Sequence, residues 1–296
     1  LLVGGRLDKH NLVDHVIFSP RVNVRFNPSE AVNLRVSYAG GYRAPQAFDE
    51  DMHIAIVGGK RVRIRLADDL REERSHSVSL SADLYHTFGK VQTNLLVEGF
   101  YTILDDVFAL RDMDDAADGG KVKERYNGSG ATVRGFNVEG RAAFTRWFEL
   151  QAGVTLQQSR YKEPEFWSED AEVPPVRRMF RTPDTYGYFT ASFKPVRNFT
   201  ADLSGTCTGS MLVQHMAGSG VAQDVAVSTP SFFDMNIRLS YDVRIYKEIT
   251  MQLYGGVQNL FNAYQKDFDK GVDRDSGYIY GPSLPRSWFV GAKFSF

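Results

Sequence analysis

Few side chains in this sequence combine the type and the spacing that chemistry requires. Asp112, Asp114, Asp115 and Asp118, followed by Gly119-Gly120, concentrate the oxygen donors that calcium prefers. They lack the spacing of an EF-hand loop and its closing glutamate, so a solvated acidic loop is the alternative. Trp167, Tyr278 and Tyr280 lie in polar stretches where they can stack a flat ligand. Tyr278 and Tyr280 equally suit an aromatic girdle at a membrane surface. The pairs Arg177-Arg178 and Lys60-Arg61 can meet phosphates or another anionic ligand, or can simply be solvated. Ser75, His76 and Ser77 place a base beside hydroxyls, but adjacent strand residues point to opposite faces, so they do not assemble a hydrolytic triad. The single cysteine, Cys207, excludes an intrachain disulfide framework. It shares a phase with Phe199, Ala201, Leu203 and Gly205, which makes it an inert apolar-face residue rather than a reactive thiol. No catalytic constellation emerges, and an enzyme is not expected.

The elements that would position these residues are strands. Between Ser231 and Phe296, Phe233, Met235, Ile237, Leu239, Tyr241 and Val243 alternate with Asp234, Asn236, Arg238, Ser240 and Asp242. Ile249, Met251, Leu253, Gly255 and Val257 alternate in the same way with Thr250, Gln252, Tyr254, Gly256 and Gln258. The chain stops on Trp288, Val290, Ala292, Phe294 and Phe296 in one phase, with Gly291, Lys293 and Ser295 in the other. A period of two marks half-apolar β-strands. Full charges in mid-strand, on strand after strand, suit a sheet curved into a barrel with lipid outside and a polar interior. The 296 residues are 43% hydrophobic and 24% charged, with a net charge of −1, which gives no footprint for nucleic acid. No apolar run reaches the roughly 18 residues of a transmembrane helix, which leaves barrels open.

Twelve candidate strands follow in order: 1–8, 16–26, 31–42, 75–86, 91–110, 122–144, 147–161, 182–193, 199–212, 231–243, 248–260 and 284–296. Within 122–144, Arg134 falls in phase with Phe136 and Val138, which requires a bulge near Gly135 or an early exit from the membrane. Short turns near residues 28, 89, 145, 196 and 246 alternate with long polar loops at 43–74, 111–121, 162–181, 213–230 and 262–283. Outer-membrane barrels have this asymmetry, with short periplasmic turns and long extracellular loops. Leu1–Asp8 already reads as a strand, so the chain is expected to begin in the middle of something larger.

Several motifs carry a resemblance. The run VNLRVSYAGGYRAPQAF (Val32–Phe48) resembles the aromatic-Arg-Ala-Pro segment of TonB-dependent outer-membrane receptors. Leu70–Ser75, Tyr126-Asn127 with Arg134–Glu139, Gly256–Asn262, and Pro285-Arg286 to Phe296 resemble further segments of that family, in its order. APQAFDED and the C-terminal run look similar to the Bacteroidetes-type branch. The resemblance implies an all-β antiparallel transmembrane barrel of about 22 strands, plugged by an N-terminal domain. Residues 1–296 would be the C-terminal half of that barrel, with the plug, the TonB box and the first strands outside this chain. It implies active import of a scarce large nutrient (ferric siderophore, haem or cobalamin), driven through the plug by the TonB–ExbB–ExbD complex. The expected location is the outer membrane of a Gram-negative bacterium. Outer-membrane lipid and lipopolysaccharide are expected partners, a surface lipoprotein over the loops is a further candidate, and nucleic acid is not expected. No resident cofactor is required; calcium or haem would be bound as ligands.

In haem receptors a histidine just beyond the Arg-Ala-Pro segment can hold iron, and His53 stands there. Those receptors also carry an Asn-Pro-Asn-Leu-like stretch, where this chain has Ala67-Asp68-Asp69-Leu70; the alternative is a solvated loop histidine. Tyr42 and Arg43 are either ligand-binding or part of the polar lining of the upper wall. Arg35, Asp202, Asp234, Arg238 and Lys293 would face the plug. The competing readings are a passive porin and a self-contained twelve-stranded enzyme.

Overall fold

The computed structural model describes residues 1–46, 62–113, 121–168, 170–218 and 220–296. The strands in chain order are β1 (Leu2–Asp8), β2 (Ile17–Ser29), β3 (Val32–Arg43), β4 (Val62–Leu66), β5 (Glu73–Phe88) and β6 (Val91–Asp105). Next come β7 (Phe108–Met113), β8 (Lys121–Asn127), β9 (Ala131–Thr145), β10 (Phe148–Glu165), β11 (Val176–Arg178) and β12 (Thr185–Phe193). The last are β13 (Phe199–Thr208), β14 (Leu212–His215), β15 (Val225–Ser228), β16 (Phe232–Tyr246), β17 (Ile249–Gln258) and β18 (Ser287–Ser295).

One antiparallel meander forms the wall, in the order β1-β2-β3-β5-β6-β9-β10-β12-β13-β16-β17-β18, with β11 as an extra partner of β10. These are the twelve strands that alternation predicts. The path runs from β1 to β18, and among the described residues no pairing joins the two. The registers place the predicted apolar phase on one surface. Val36, Leu80, Gly99, Phe136 and Leu156 follow one another across five strands, and Cys207, Phe233 and Met235 continue the same side. Leu80 is 60% exposed, Phe136 63% and Val290 90%, far above what a water-facing sheet tolerates over so wide a patch. The wall has no apolar interior of its own. Most of its buried residues belong to loops and strand roots: Val213, Tyr278, Tyr280, Gln265, Arg125 and Glu72.

All the short turns lie at one end of the wall and all the long connections at the other. Four long connections carry short strands beyond the twelve of the wall. β4 pairs in parallel with β8, which pairs with β7, to make a small sheet above the wall. β14 and β15 form a separate hairpin. The stretch 91–110, expected as one strand, breaks between β6 and β7 at Asp106, whose φ is 56°. The stretch 122–144 breaks at Gly128–Gly130. Gly130 has φ 87°, and a Cβ there would stand 2.4 Å from the Leu104 carbonyl oxygen, so only glycine fits.

Of the two options for Arg134, the structure excludes the bulge. Pairing of β9 with β10 runs unbroken from Ala131↔Tyr161 through Gly135↔Gln157. Arg134 therefore stands on the outer face, where its guanidinium donates to the Gln158 amide oxygen at 2.8 Å. It is the fourth residue of β9 from the long-loop end. An outward arginine costs about 2–4 kcal/mol at the bilayer midplane but about 0–1 kcal/mol near the surface, so this position marks the upper edge of the apolar band.

Candidate ligand-facing surface

The inner face of the wall is lined by side chains that satisfy one another laterally. Ser192 donates to Asp202 at 2.6 Å, Thr155 to Asn137 at 2.8 Å, Gln151 to Glu139 at 2.7 Å, and Asn137 to Glu98 at 3.2 Å. Arg238 donates to Gln252 at 3.2 Å and stacks over Tyr254 with 4.6 Å to the ring centroid; Gln252 in turn donates to Asp242. Each bond is a single polar contact between neighbouring strands, modest in net worth. The result is a wet, adhesive lining rather than a sealed core.

At the long-loop end the strand roots are stitched by the segments that carried the family resemblance. The Asn127 amide donates to the carbonyls of Arg71 and Asp106, and its oxygen accepts from the Arg71 N–H at 2.8 Å. Arg71 also pairs with Asp106 at 2.7 Å. Glu72, 3% exposed, accepts from Arg74 at 2.6 Å, with His15 Nε2 3.0 Å away. Burial alone would raise the Glu72 carboxyl; the bonds from Arg74, its own backbone and His15 outweigh this and hold it below the usual range. Above lies Glu124, held by Arg111 and 3.7 Å from Arg65. At the other side of the wall Asn259, 2% exposed, donates to the carbonyls of Ala263 and Leu284 and accepts from the Ala263 N–H. Its φ of 50° turns the chain out of β17. Nearby, Asn262 accepts from the Arg286 N–H at 2.9 Å. These motif residues are structural clamps.

The loops themselves converge on a second cluster. His215, at the end of β14, is 6% exposed, with Nε2 3.0 Å from both carboxylate oxygens of Asp269. Its ring lies flat on Tyr278, with centroids 3.7 Å apart and planes 6° from parallel. Tyr278 and Tyr280 both donate to Asp267, at 2.7 and 2.5 Å. Gln265 donates to the Tyr278 carbonyl and accepts from the Tyr280 N–H. Asp275 caps the Met216 N–H at 2.7 Å, and Arg181 reaches across to the carbonyls of Gly277 and Ile279. The connection bearing β14 and β15, the 259–286 connection and Arg181 are thereby held together.

Burial pushes the Asp267 carboxyl up, but the hydroxyls of Tyr280 and Tyr278, with its own backbone and Gln265, outweigh it and hold the group below its ordinary value of 3.8. Burial, and then the Asp267 carboxylate, push the Tyr280 phenol up to about 12. The signs fix a window. The Asp267 contribution is complete above its unfolded value and is lost as pH falls through the lower folded one. The Tyr280 contribution is complete below about 10 and is lost as pH rises through the folded value. Protection at residues 265–280, measured as exchange relative to the intrinsic rate at the same pH, should therefore be high between about pH 4 and 10 and fall outside those limits, and Asp267→Asn should flatten the acid limb. An acid limb unchanged by that substitution would refute the role of Asp267.

The residues singled out by sequence are scattered. Tyr278 and Tyr280 are 3% and 7% exposed inside the loop cluster, so they belong to neither a membrane girdle nor an open stacking surface. Trp167 packs edge-on against Phe180 at 5.3 Å, beside Ser168, which donates to Asp224. Arg43 lies on the inner phase, 3.7 Å from Glu73 and 5.0 Å over the Phe108 ring, whereas Tyr42 has the outer phase opposite Arg74. Arg178 is engaged by Asp184 and by the Ser210 carbonyl. Asp112 lies in β7 opposite Lys123. His53, Lys60, Arg61, Asp114, Asp115 and Asp118 lie outside the described residues. Among the described residues no three His, Cys, Asp or Glu side chains are grouped to hold a metal ion. Sequence reasoning missed His215, Asp267 and Asp269. Only the density of aspartates from 267 to 275 hinted at them.

An antiparallel wall with an apolar outside, a polar inside and long loops at one end has the pattern of part of an outer-membrane β-barrel. The family profile described as "TonB dependent receptor-like, beta-barrel" matches residues 1–260, and the chain belongs to that family. No curated protein sequence matches it. Among solved structures it is similar to the ferric enterobactin receptor of Pseudomonas aeruginosa in complex with enterobactin, with a TM-score of 0.66, 16% identity, and coverage of 98% of this chain and 42% of that one. It is similar to the siderophore receptor PirA of Acinetobacter baumannii, with a TM-score of 0.64, 16% identity and coverage of 99% and 43%. It is also similar to the copper transporter OprC, with a TM-score of 0.62, 12% identity and coverage of 95% and 40%. At these identities the likeness is one of fold. The chain spans less than half the length of each of these structures.

Proposed function

We propose that residues 1–296 form the C-terminal half of the barrel and the ligand-facing loops of an outer-membrane receptor that imports a scarce metal chelate, with ferric siderophore first, then haem and cobalamin. The observation that carries this reading is the confinement of every long, internally stitched connection to one end of a wall that is polar inside and apolar outside. Loops tied to strand roots make a firm rim on which a large ligand is held outside the cell. The laterally satisfied lining is suited to a plug that must shift, because no single contact is strong. Ligand would meet Arg43 and Trp167, while Tyr278 and Tyr280 shape the rim from within. Energy would enter through a plug outside this chain, by way of TonB with ExbB and ExbD, and no resident cofactor is needed. Surrounding lipid, lipopolysaccharide and a capping lipoprotein complete the proposed setting.

The test is uptake of radiolabelled ferric siderophores by cells carrying the receptor at its native length under iron limitation. Uptake that stops when TonB is deleted or the proton-motive force is collapsed is the expected result. Uptake indifferent to both, together with steady ion conductance of the purified protein in planar bilayers, would replace the receptor with a passive pore. An intact native mass equal to the 33.3 kDa of this chain would overturn the half-barrel assignment.

A further inference from the structure

The inner face of β2 and β3 departs from the lateral pairing found elsewhere on the lining. Arg25 and Arg35 stand directly opposite each other across these strands, nearer the short-turn end, and Arg21 shares their phase on β2. Four residues of strand put Arg21 about 13 Å from Arg25, towards the long-loop end. All three arginines are exposed. Arg25 donates to the neutral amide oxygen of Asn27 at 3.0 Å, and among the described residues Arg21 and Arg35 meet no polar partner. Asp83, opposite Asn33 on the same face, is held instead by the Tyr85 hydroxyl at 2.8 Å and by the Asn94 amide. By contrast, Arg141 meets Glu149, and Arg238 rests on Gln252 and Tyr254. Above the pair the lining turns small. On the inner phase Arg35 faces Ser81, Ser37 faces Ser79, Ala39 faces Ser77 and Gly41 faces Ser75, up to Arg43 and Glu73 at the rim. A low strip two strands wide therefore leads from the long-loop end to the arginines.

Like charges directly opposite one another destabilise a strand pair, and an anion between them relieves the repulsion. A carboxylate fixed in a plug would form a multidentate, charge-assisted contact with two guanidinium forks. That is the strong tie which the rest of the lining lacks and which a shifting plug would have to break on every cycle. An anion that arrives and leaves meets no such obstacle. Clustered anionic oxygens, as on the carboxylates or catecholates of a ferric chelate, match guanidinium forks two at a time. We propose that Arg25 and Arg35, with Arg21 above them, form a transit site inside the wall for a ferric chelate of net negative charge, reached along the serine-lined strip of β3 and β5. Such a site deepens the transport reading, on which it rests. The cargo is an anion, and it is held a second time after leaving the loops.

Cells carrying the receptor at its native length, or its variant with Arg25→Gln and Arg35→Gln, are to be given radioactive iron as ferric enterobactin, an anionic tris-catecholate, and as ferrichrome, a neutral tris-hydroxamate. Surface binding, read in cells without TonB, should agree within twofold between variant and parent. TonB-driven uptake of ferric enterobactin should fall at least tenfold in the variant, while uptake of ferrichrome holds. Arg25→Lys with Arg35→Lys, which keeps both charges, should retain most of the ferric enterobactin uptake. Because the native pair repels, the glutamine variant should resist heating on gels at least as well as the parent; a lower unfolding temperature would reveal a partner within the protein and overturn the site. Uptake of ferric enterobactin preserved in the glutamine variant overturns it, as does surface binding that falls in parallel or parental uptake confined to ferrichrome. A loss shared by both chelates overturns it too, and ion conductance appearing in planar bilayers would then assign the arginines to the plug. Parental cells that import neither chelate would overturn the ferric-chelate reading itself, and the transit site with it.

Discussion

Leu239→Lys should lower the unfolding free energy in a lipid bilayer by about 2–4 kcal/mol, whereas Arg238→Gln next to it should lower it by no more than about 1 kcal/mol. Leu239 is the middle residue of the usable length of β16 and points to the outer phase between Ala201 and Gly255, with 47% of its surface exposed. A lysine there cannot reach either membrane surface without bending the wall. Arg238, one residue away, points inward and loses only a bond to Gln252 and the stack on Tyr254. The comparison is to be made by guanidinium unfolding of the native-length receptor in liposomes, followed by gel migration. Equal losses at the two positions would mean that the faces are assigned wrongly, and with them the orientation of every wall strand.

Asn259→Ala should be the most damaging single change in the loops. It removes the donors to Ala263 and Leu284 and the acceptor for the Ala263 N–H at a site 2% exposed, and it places a non-glycine residue at φ 50° without an amide to compensate. Together these effects should cost about 3–4 kcal/mol of local stability. Hydrogen exchange should show lost protection at Ala263, Asp275, Tyr280 and Arg286 while the strands stay protected. Asn259→Gly separates the two causes, since it accepts the same φ and should recover about 1 kcal/mol. Unchanged exchange in the alanine variant would show that the clamp is redundant.

The wall was legible because lipid outside and polar groups inside enforce a strict period of two. Runs such as Phe233/Asp234 through Val243 declare both faces in the sequence itself. The turns were legible for the same reason, as short polar gaps between such runs. The breaks at Asp106 and Gly130 were not, because the residues on either side keep the strand phase. The loop cluster was also hidden. His215 and Asp269 are 54 residues apart, and nothing local to either announces the other. Tyr278 and Tyr280 show the limit from the other side. Aromatic residues near a strand end read as a girdle, yet hydroxyl bonds to Asp267, visible only in three dimensions, draw both inward. The motif segments were legible as a family signature while their work was not: Asn127 and Asn259 are clamps of backbone to backbone, which no side-chain chemistry in the sequence announces.

The Asn259 clamp bears on how such a rim can change over generations. By tying Ala263 to Leu284 it closes the loop at its base, so the intervening residues are not needed to hold β17 beside β18. Everything between those two residues is in effect a cartridge with a standard socket. Because its inner surface is fitted to the hairpin of β14 and β15, the unit that can be exchanged is the matched pair. Substitutions can then rewrite both together while the socket and the wall below are left as they were.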